Sequence, residues 1–115
     1  LDIFKIRKRA DFLSNGSSNV KVVTKAFVLI ISDTKTFEYT QPGLRFGITV
    51  SKKIGNSVKR NRAKRRLRTL AKHVLSQYGL PYKDYVLIAR AYIMTRKFEY
   101  MANEFISALK TVSSC

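Results

Sequence analysis

The segment Leu44 to Ser51 alternates strictly, with Leu44, Phe46, Ile48 and Val50 on one side and Arg45, Gly47, Thr49 and Ser51 on the other. That two-residue period belongs to a strand with one face in the core and a small, polar opposite face. A few positions later the rhythm changes. Ala63, Leu67, Leu70, Ala71, Val74 and Tyr78 recur every three or four residues, the spacing of a helix with one packed stripe. Gly55 permits a sharp exit from the strand, and Asn56 or Ser57 can cap the helix. Gly79 and Pro81 end it near Tyr78.

The flanking sequence supplies the rest of the layer. Ala10, Asp11, Phe12 and Leu13 suit a short helix stopped by Asn15 and Gly16. Val20 to Ser32 reads as one β-rich run whose centre, Ala26 to Ile31, is apolar on both parities and therefore buried. Asp33 to Gly43 is polar and contains Pro42, which predicts an exposed connection between two antiparallel strands. Tyr85 to Arg90 predicts a third buried strand. Thr95 is then expected to cap a last helix that turns Phe98, Met101, Ala102, Phe105, Leu109 and Val112 inward. The expected order is α-β-β-α-β-α, an α+β sandwich of helices on a small mixed sheet. At 115 residues, 45% of them hydrophobic, the chain 1–115 is expected to form one domain.

Charge narrows the function. Lys and Arg number 23 against seven Asp and Glu, a formal net charge of +16, and such self-repulsion favours a polyanionic partner. Nucleic acid is the first candidate and an anionic membrane the second. No apolar run approaches the roughly 20 residues of a spanning helix, and no signal-peptide pattern opens the chain, so a soluble, cytoplasmic protein is expected. Cys115 is the single cysteine and reads as an inert thiol. From Tyr39 to Lys83 there are twelve Lys or Arg and no acidic residue. Arg60 and Arg62 fall where the helix macrodipole favours anions, a cost of about 0.3 to 1 kcal/mol for each cation. The row Arg60, Lys64, Arg68 and Lys72 sets like charges at i, i+4, each pair unfavourable by roughly 0.2 to 0.5 kcal/mol. Phosphates would reverse both signs, and Gly55 to Ser57 with the flanking cations form a candidate phosphate pocket. A short basic run is as often a solvated helix face or a localisation signal. A solvated face, however, usually mixes signs, whereas this one excludes acids over a whole structural unit.

The string Arg45 to Arg68, with Arg60-Asn61-Arg62 at its centre, resembles the protein component of bacterial ribonuclease P. The likeness extends to Arg9-Ala10-Asp11-Phe12, Ala26-Phe27-Val28-Leu29 and Lys83 to Arg90. The resemblance implies a ribonucleoprotein whose large RNA subunit performs Mg²⁺-dependent removal of the 5′ leader from precursor tRNA. The protein would bind one RNA subunit and no cofactor of its own. It implies RNA binding by Lys52, Lys53, Arg60, Asn61, Arg62, Lys64, Arg65 and Arg68. It also implies a leader cleft over the open sheet face, formed by Phe12, Val28, Ile30, Thr49 and Lys53, and a left-handed crossover around the signature helix, against the usual preference. This chain has Gly16 where the family often has a second aromatic, and Ile30 where it often has Tyr, which implies weaker stacking of the leader.

A protein nuclease would need clustered carboxylates or histidines. Asp2, Asp11, Asp33, Glu38, Asp84, Glu99 and Glu104 are scattered, and His73 is the only histidine. His73 is expected at the surface or a boundary, and Phe98, Met101 and Phe105 are expected to be core. No catalytic or metal-binding residue is therefore expected. The alternative function is a ribosomal or RNA-chaperone protein with no catalytic partner.

Overall fold

The computed structural model describes residues 2–5, 20–33, 43–79 and 83–113. Five strands form one mixed sheet: β1 (Asp2–Lys5), β2 (Val20–Val23), β3 (Phe27–Asp33), β4 (Gly43–Thr49) and β5 (Lys83–Ala89), in the spatial order β1-β4-β5-β3-β2. β1 and β5 both run parallel to β4, while β3 is antiparallel to β5 and to β2. A 3₁₀ turn, Lys52–Ile54, leads from β4 into α1 (Ser57–Tyr78). A second, Ala91–Met94, leads from β5 towards α2 (Phe98–Ser113).

The mixed α+β architecture agrees with expectation, with corrections. Val20 to Ser32 is a hairpin rather than one strand. Thr24 makes the reversal: its N–H and its hydroxyl both donate to the Phe27 carbonyl, at 2.9 and 2.8 Å, and its hydroxyl accepts the Phe27 N–H at 3.1 Å. Glycine, proline and asparagine are missing from the turn, so it is hidden inside a β-rich run; a threonine hydroxyl takes over their work. β3 and β4 do run in opposite directions, but β5 lies between them and they do not pair. The strand β1 was not expected from the sequence. The expected helix at Ala10 to Leu13 lies outside the described residues, as do the side chain of Val112 and all of Cys115.

α1 and α2 cover one face of the sheet. From α1 come Ala63, Leu67, Leu70, Ala71, Val74 and Leu75, and from α2 Met101, Ala102, Phe105, Ala108 and Leu109. They pack on Phe27, Leu29, Ile31, Leu44, Phe46, Tyr85 and Leu87, and the Phe27 and Phe105 rings meet at 5.8 Å. Phe98, like Ile48 and Val50 of the alternating segment, is partly buried against this core. Tyr78, expected in the stripe, is exposed, and Leu75 is buried instead; Tyr78 lies in the last turn, where the stripe has run out. Thr95 does not cap α2. It closes the preceding 3₁₀ turn, and the first α2 amides donate to the Lys97 carbonyl.

Arg45 is a further correction, because it is neither small nor solvated. It pairs in register with Asp84 across β4 and β5. Its Nε donates to Asp84 Oδ1 at 2.9 Å and its Nη2 to Oδ2 at 2.5 Å, with both side chains buried. One of the twelve cations of the acid-free stretch is thus neutralised from outside it.

Candidate RNA interface

The start of α1 is built by two residues. Gly55 adopts φ 143°, ψ −156°, a region essentially closed to residues with a Cβ. Asn56 then caps the helix, its Oδ1 accepting the Lys59 N–H at 3.0 Å. Asn56 therefore fills part of the expected phosphate pocket with its own side chain. The helix ends at Gly79, whose φ of −66° is ordinary. What requires glycine there is space, since a Cβ would collide with Leu44 Cδ2 and the Leu75 carbonyl.

Lys52 and Lys53 are exposed in the 3₁₀ turn. Asn61, Arg62, Lys64 and Arg65 are exposed on the first turns of α1, while Arg60 and Arg68 are half-buried. The helix contains no acidic residue. Its cations divide between two sides, because residues i, i+3, i+4 and i+7 share a face. Arg60, Lys64 and Arg68 form one row. Arg62, Arg65, Arg66 and Thr69 form another, and together with Thr95 to Glu99 they line a groove of about 880 Å³. Arg66 Nη2 donates to the Arg96 carbonyl at 2.5 Å, tying α1 to the segment before α2. The Nε atoms of Arg60, Arg66 and Arg68 are buried without a partner among the described residues. Sequence reasoning missed Arg66, Arg96 and Lys97 as groove residues. Arg66 lies within the segment Arg45 to Arg68, but only tertiary packing brings Arg96 and Lys97 beside it.

The sheet face away from the helices carries ordered rows. Register aligns Thr49, Ile88 and Val28 in one row, and Gly47, Val86 and Ile30 in the next. Arg45, Asp84 and Ser32 form a third. The face is graded: the Arg45 row is buried, and so are Gly47 and Val86, while Thr49 is exposed and Val28, Ile30 and Ile88 are half-buried. Thr49 is the last residue of β4, so Lys52 and Lys53 follow at the open end. Lys21 and Val23 of β2 pair with Ile30 and Val28 and extend the face. Of the expected cleft residues, Val28, Ile30 and Thr49 thus share this face, and Phe12 lies outside the described residues. Ile88 and Lys21 were missed; the apolar run on both parities of β5 was the available signal for Ile88.

His73 is exposed, with its ring 5.7 Å from that of Phe98, and Glu104 is paired with Arg96 at 2.6 Å. Among the described residues no three His, Cys, Asp or Glu side chains gather into a group that could hold a metal. No helix of the described residues is long and apolar enough to cross a membrane.

The family model described as Ribonuclease P matches residues 3–113. The chain is similar to the Ribonuclease P protein component of Erythrobacter litoralis, 43% identical over 105 residues, which are 91% of this chain and 82% of that protein. That of Paramagnetospirillum magneticum is 36% identical over 110 residues, 96% and 83% of the two chains. Among solved structures, the Staphylococcus aureus RNase P protein superposes with a TM-score of 0.72 at 32% identity, covering 95% of this chain and 94% of that one. The Thermotoga maritima RNase P protein superposes equally well, with a TM-score of 0.72 at 22% identity over 93% and 96% of the chains, a likeness of fold.

Proposed function

The chain belongs to the ribonuclease P protein family, and from that membership we propose that α1 docks the catalytic RNA while the open sheet face holds the 5′ leader of precursor tRNA. The protein is the non-catalytic subunit of an RNA-based endoribonuclease that matures the 5′ ends of tRNA, and its partners are the ribonuclease P RNA and precursor tRNA. The observation that carries the docking assignment is the acid-free α1, whose start is wrongly charged for a free helix and rightly charged for one lying on phosphates. Lys52, Lys53, Arg60, Asn61, Arg62, Lys64, Arg65 and Arg68 make these contacts. Val28, Ile30 and Thr49, with Lys53 beside them and Phe12 as a wall, receive unstacked leader nucleotides.

The division of labour follows from the side chains. α1 supplies charge and orientation, and the sheet supplies an apolar floor. The chemistry of this family belongs to its RNA, and the Mg²⁺ of the reaction is assigned to that RNA. We place the chain in the cytoplasm as one RNA-binding domain, one copy per RNA subunit. A ribosomal or RNA-chaperone role is not favoured.

Reconstitution tests this reading. Added to a bacterial ribonuclease P RNA at low Mg²⁺, the protein is expected to raise precursor-tRNA cleavage, and the protein alone to cleave nothing. Absence of stimulation would refute the reading, and cleavage by the RNA-free protein would refute the non-catalytic role. Phe12→Ala is expected to weaken binding of leader-bearing precursor more than that of mature tRNA. Equal losses would remove the cleft assignment.

A further inference from the structure

Two tyrosines on the helical side of the sheet remain largely in water, and both border one hollow. Tyr92, in the 3₁₀ turn Ala91–Met94, is 59% exposed, and Tyr100, in the first turn of α2, is 51% exposed. Neither serves the core, because Ile93 and Met101 beside them are the buried residues. The hollow measures about 300 Å³ and among the described residues is lined by the two tyrosines with Thr95, Lys25, Arg96 and Lys97. The Arg96 guanidinium carbon lies 5.4 Å from the centre of the Tyr100 ring and Lys97 Nζ lies 6.0 Å from it.

The walls of this hollow are held in place by hydrogen bonds. The Arg96 N–H donates to the Tyr92 carbonyl at 2.9 Å. The Arg96 carbonyl accepts from Arg66 of α1, and its side chain is held by Glu104. Lys25 arrives on the β2–β3 turn, which Arg90 braces: its N–H donates to the Ala26 carbonyl at 2.9 Å and its Nη1 to the Thr24 carbonyl at 2.7 Å. Thr95, Arg96 and Lys97 also line the groove beside Arg62, Arg65 and Arg66. The surface is therefore continuous from the α1 cations to the tyrosines.

We propose that this hollow is a stacking site for an unpaired segment of the RNA subunit, next to the part that α1 grips. The inference rests on the RNA-docking reading of α1. Exposed aromatic rings interleaved with cations suit single-stranded RNA, whose bases stack on rings while its phosphates meet Lys and Arg. Duplex RNA has no free base faces to offer the rings. The leader is a poor fit to this place: α2 packs on the face of Phe27 and Leu29, whereas Val28 and Ile30 point to the opposite face.

The test uses the full chain with its RNA. The double variant Tyr92→Ala/Tyr100→Ala is expected to bind the RNA subunit at least about ten-fold more weakly, since each stacked base contributes roughly 5- to 150-fold. Tyr92→Phe/Tyr100→Phe is expected to bind as wild type. The salt slope of binding stays unchanged in the alanine pair and becomes shallower in Lys25→Ala/Lys97→Ala. Chemical probing of the RNA subunit is expected to show one unpaired stretch becoming reactive in the alanine pair. Wild-type affinity in that variant would overturn the proposal, as would a loss seen only with leader-bearing precursor, or an equal loss in the phenylalanine pair. If the wild-type protein fails to stimulate cleavage, the docking reading falls and takes this inference with it. If it stimulates and the alanine pair binds normally, only the stacking site falls.

Discussion

Gly55 and Gly79 bracket α1 and are glycine for different reasons. At Gly55 the backbone itself excludes a side chain: φ 143° with ψ −156° is a conformation only glycine holds cheaply. At Gly79 the backbone is ordinary and the neighbours exclude a Cβ. Gly55→Ala is therefore expected to cost about 1 to 3 kcal/mol of stability by the strain alone, read as a lower urea midpoint, and the Asn56 cap next to it would be misplaced. An unchanged midpoint would mean that the turn can relax. Arg60→Ala/Arg62→Ala is expected to act elsewhere, leaving the fold intact while RNA affinity falls. Its dependence on salt should flatten by nearly one unit of log–log slope for each phosphate that the variant no longer neutralises on duplex-like RNA. An unchanged slope would show that these side chains do not touch phosphates.

Among the elements, β4 and β5 carry most of the positioning. Their parallel pairing puts Thr49 beside Ile88 and Arg45 beside Asp84, so one register sets both the open end of the sheet face and its sealed end. Asp84 is 1% exposed, and Asp84→Ala takes from the buried Arg45 guanidinium the carboxylate that its Nε and Nη2 both contact. The expected loss is about 3 to 5 kcal/mol, whereas replacing both partners by apolar residues is expected to cost far less. Equilibrium unfolding of the single and double variants checks this, and a mild single variant would show that Arg45 is satisfied without Asp84. The alternation of β4, the extent of α1 and the inward stripe of α2 were legible because each is a local period imposed by one buried face. The hairpin at Thr24 was not, because its turn chemistry resides in one hydroxyl inside a β-rich run that lacks glycine, proline and asparagine. The Arg45–Asp84 pair was hidden for a different reason: the partners are 39 residues apart, and only the strand order brings them together. The same holds for the groove, where Arg66 of α1 meets Arg96 through tertiary packing. Local pattern thus exposed the cations of α1 but not their neighbours.

At the scale of the whole molecule, a net charge of +16 on 115 residues is a standing repulsion that solvent and salt only partly screen. The free protein is accordingly expected to melt at a higher temperature as salt is raised from low to physiological strength, and higher again when RNA is bound. A melting temperature that fell with salt would mean that attractive pairs such as Arg45–Asp84 outweigh the repulsion. The protein is the non-catalytic subunit, and the RNA carries the chemistry. The most direct test is single-turnover cleavage of precursor tRNA by the reconstituted enzyme, titrated with wild-type protein and with Arg60→Ala/Arg62→Ala. The variant is expected to need a higher concentration for half-maximal stimulation yet to reach the wild-type rate at saturation. A saturating rate far below wild type, with the RNA fully bound, would contradict the assignment of these residues to docking alone.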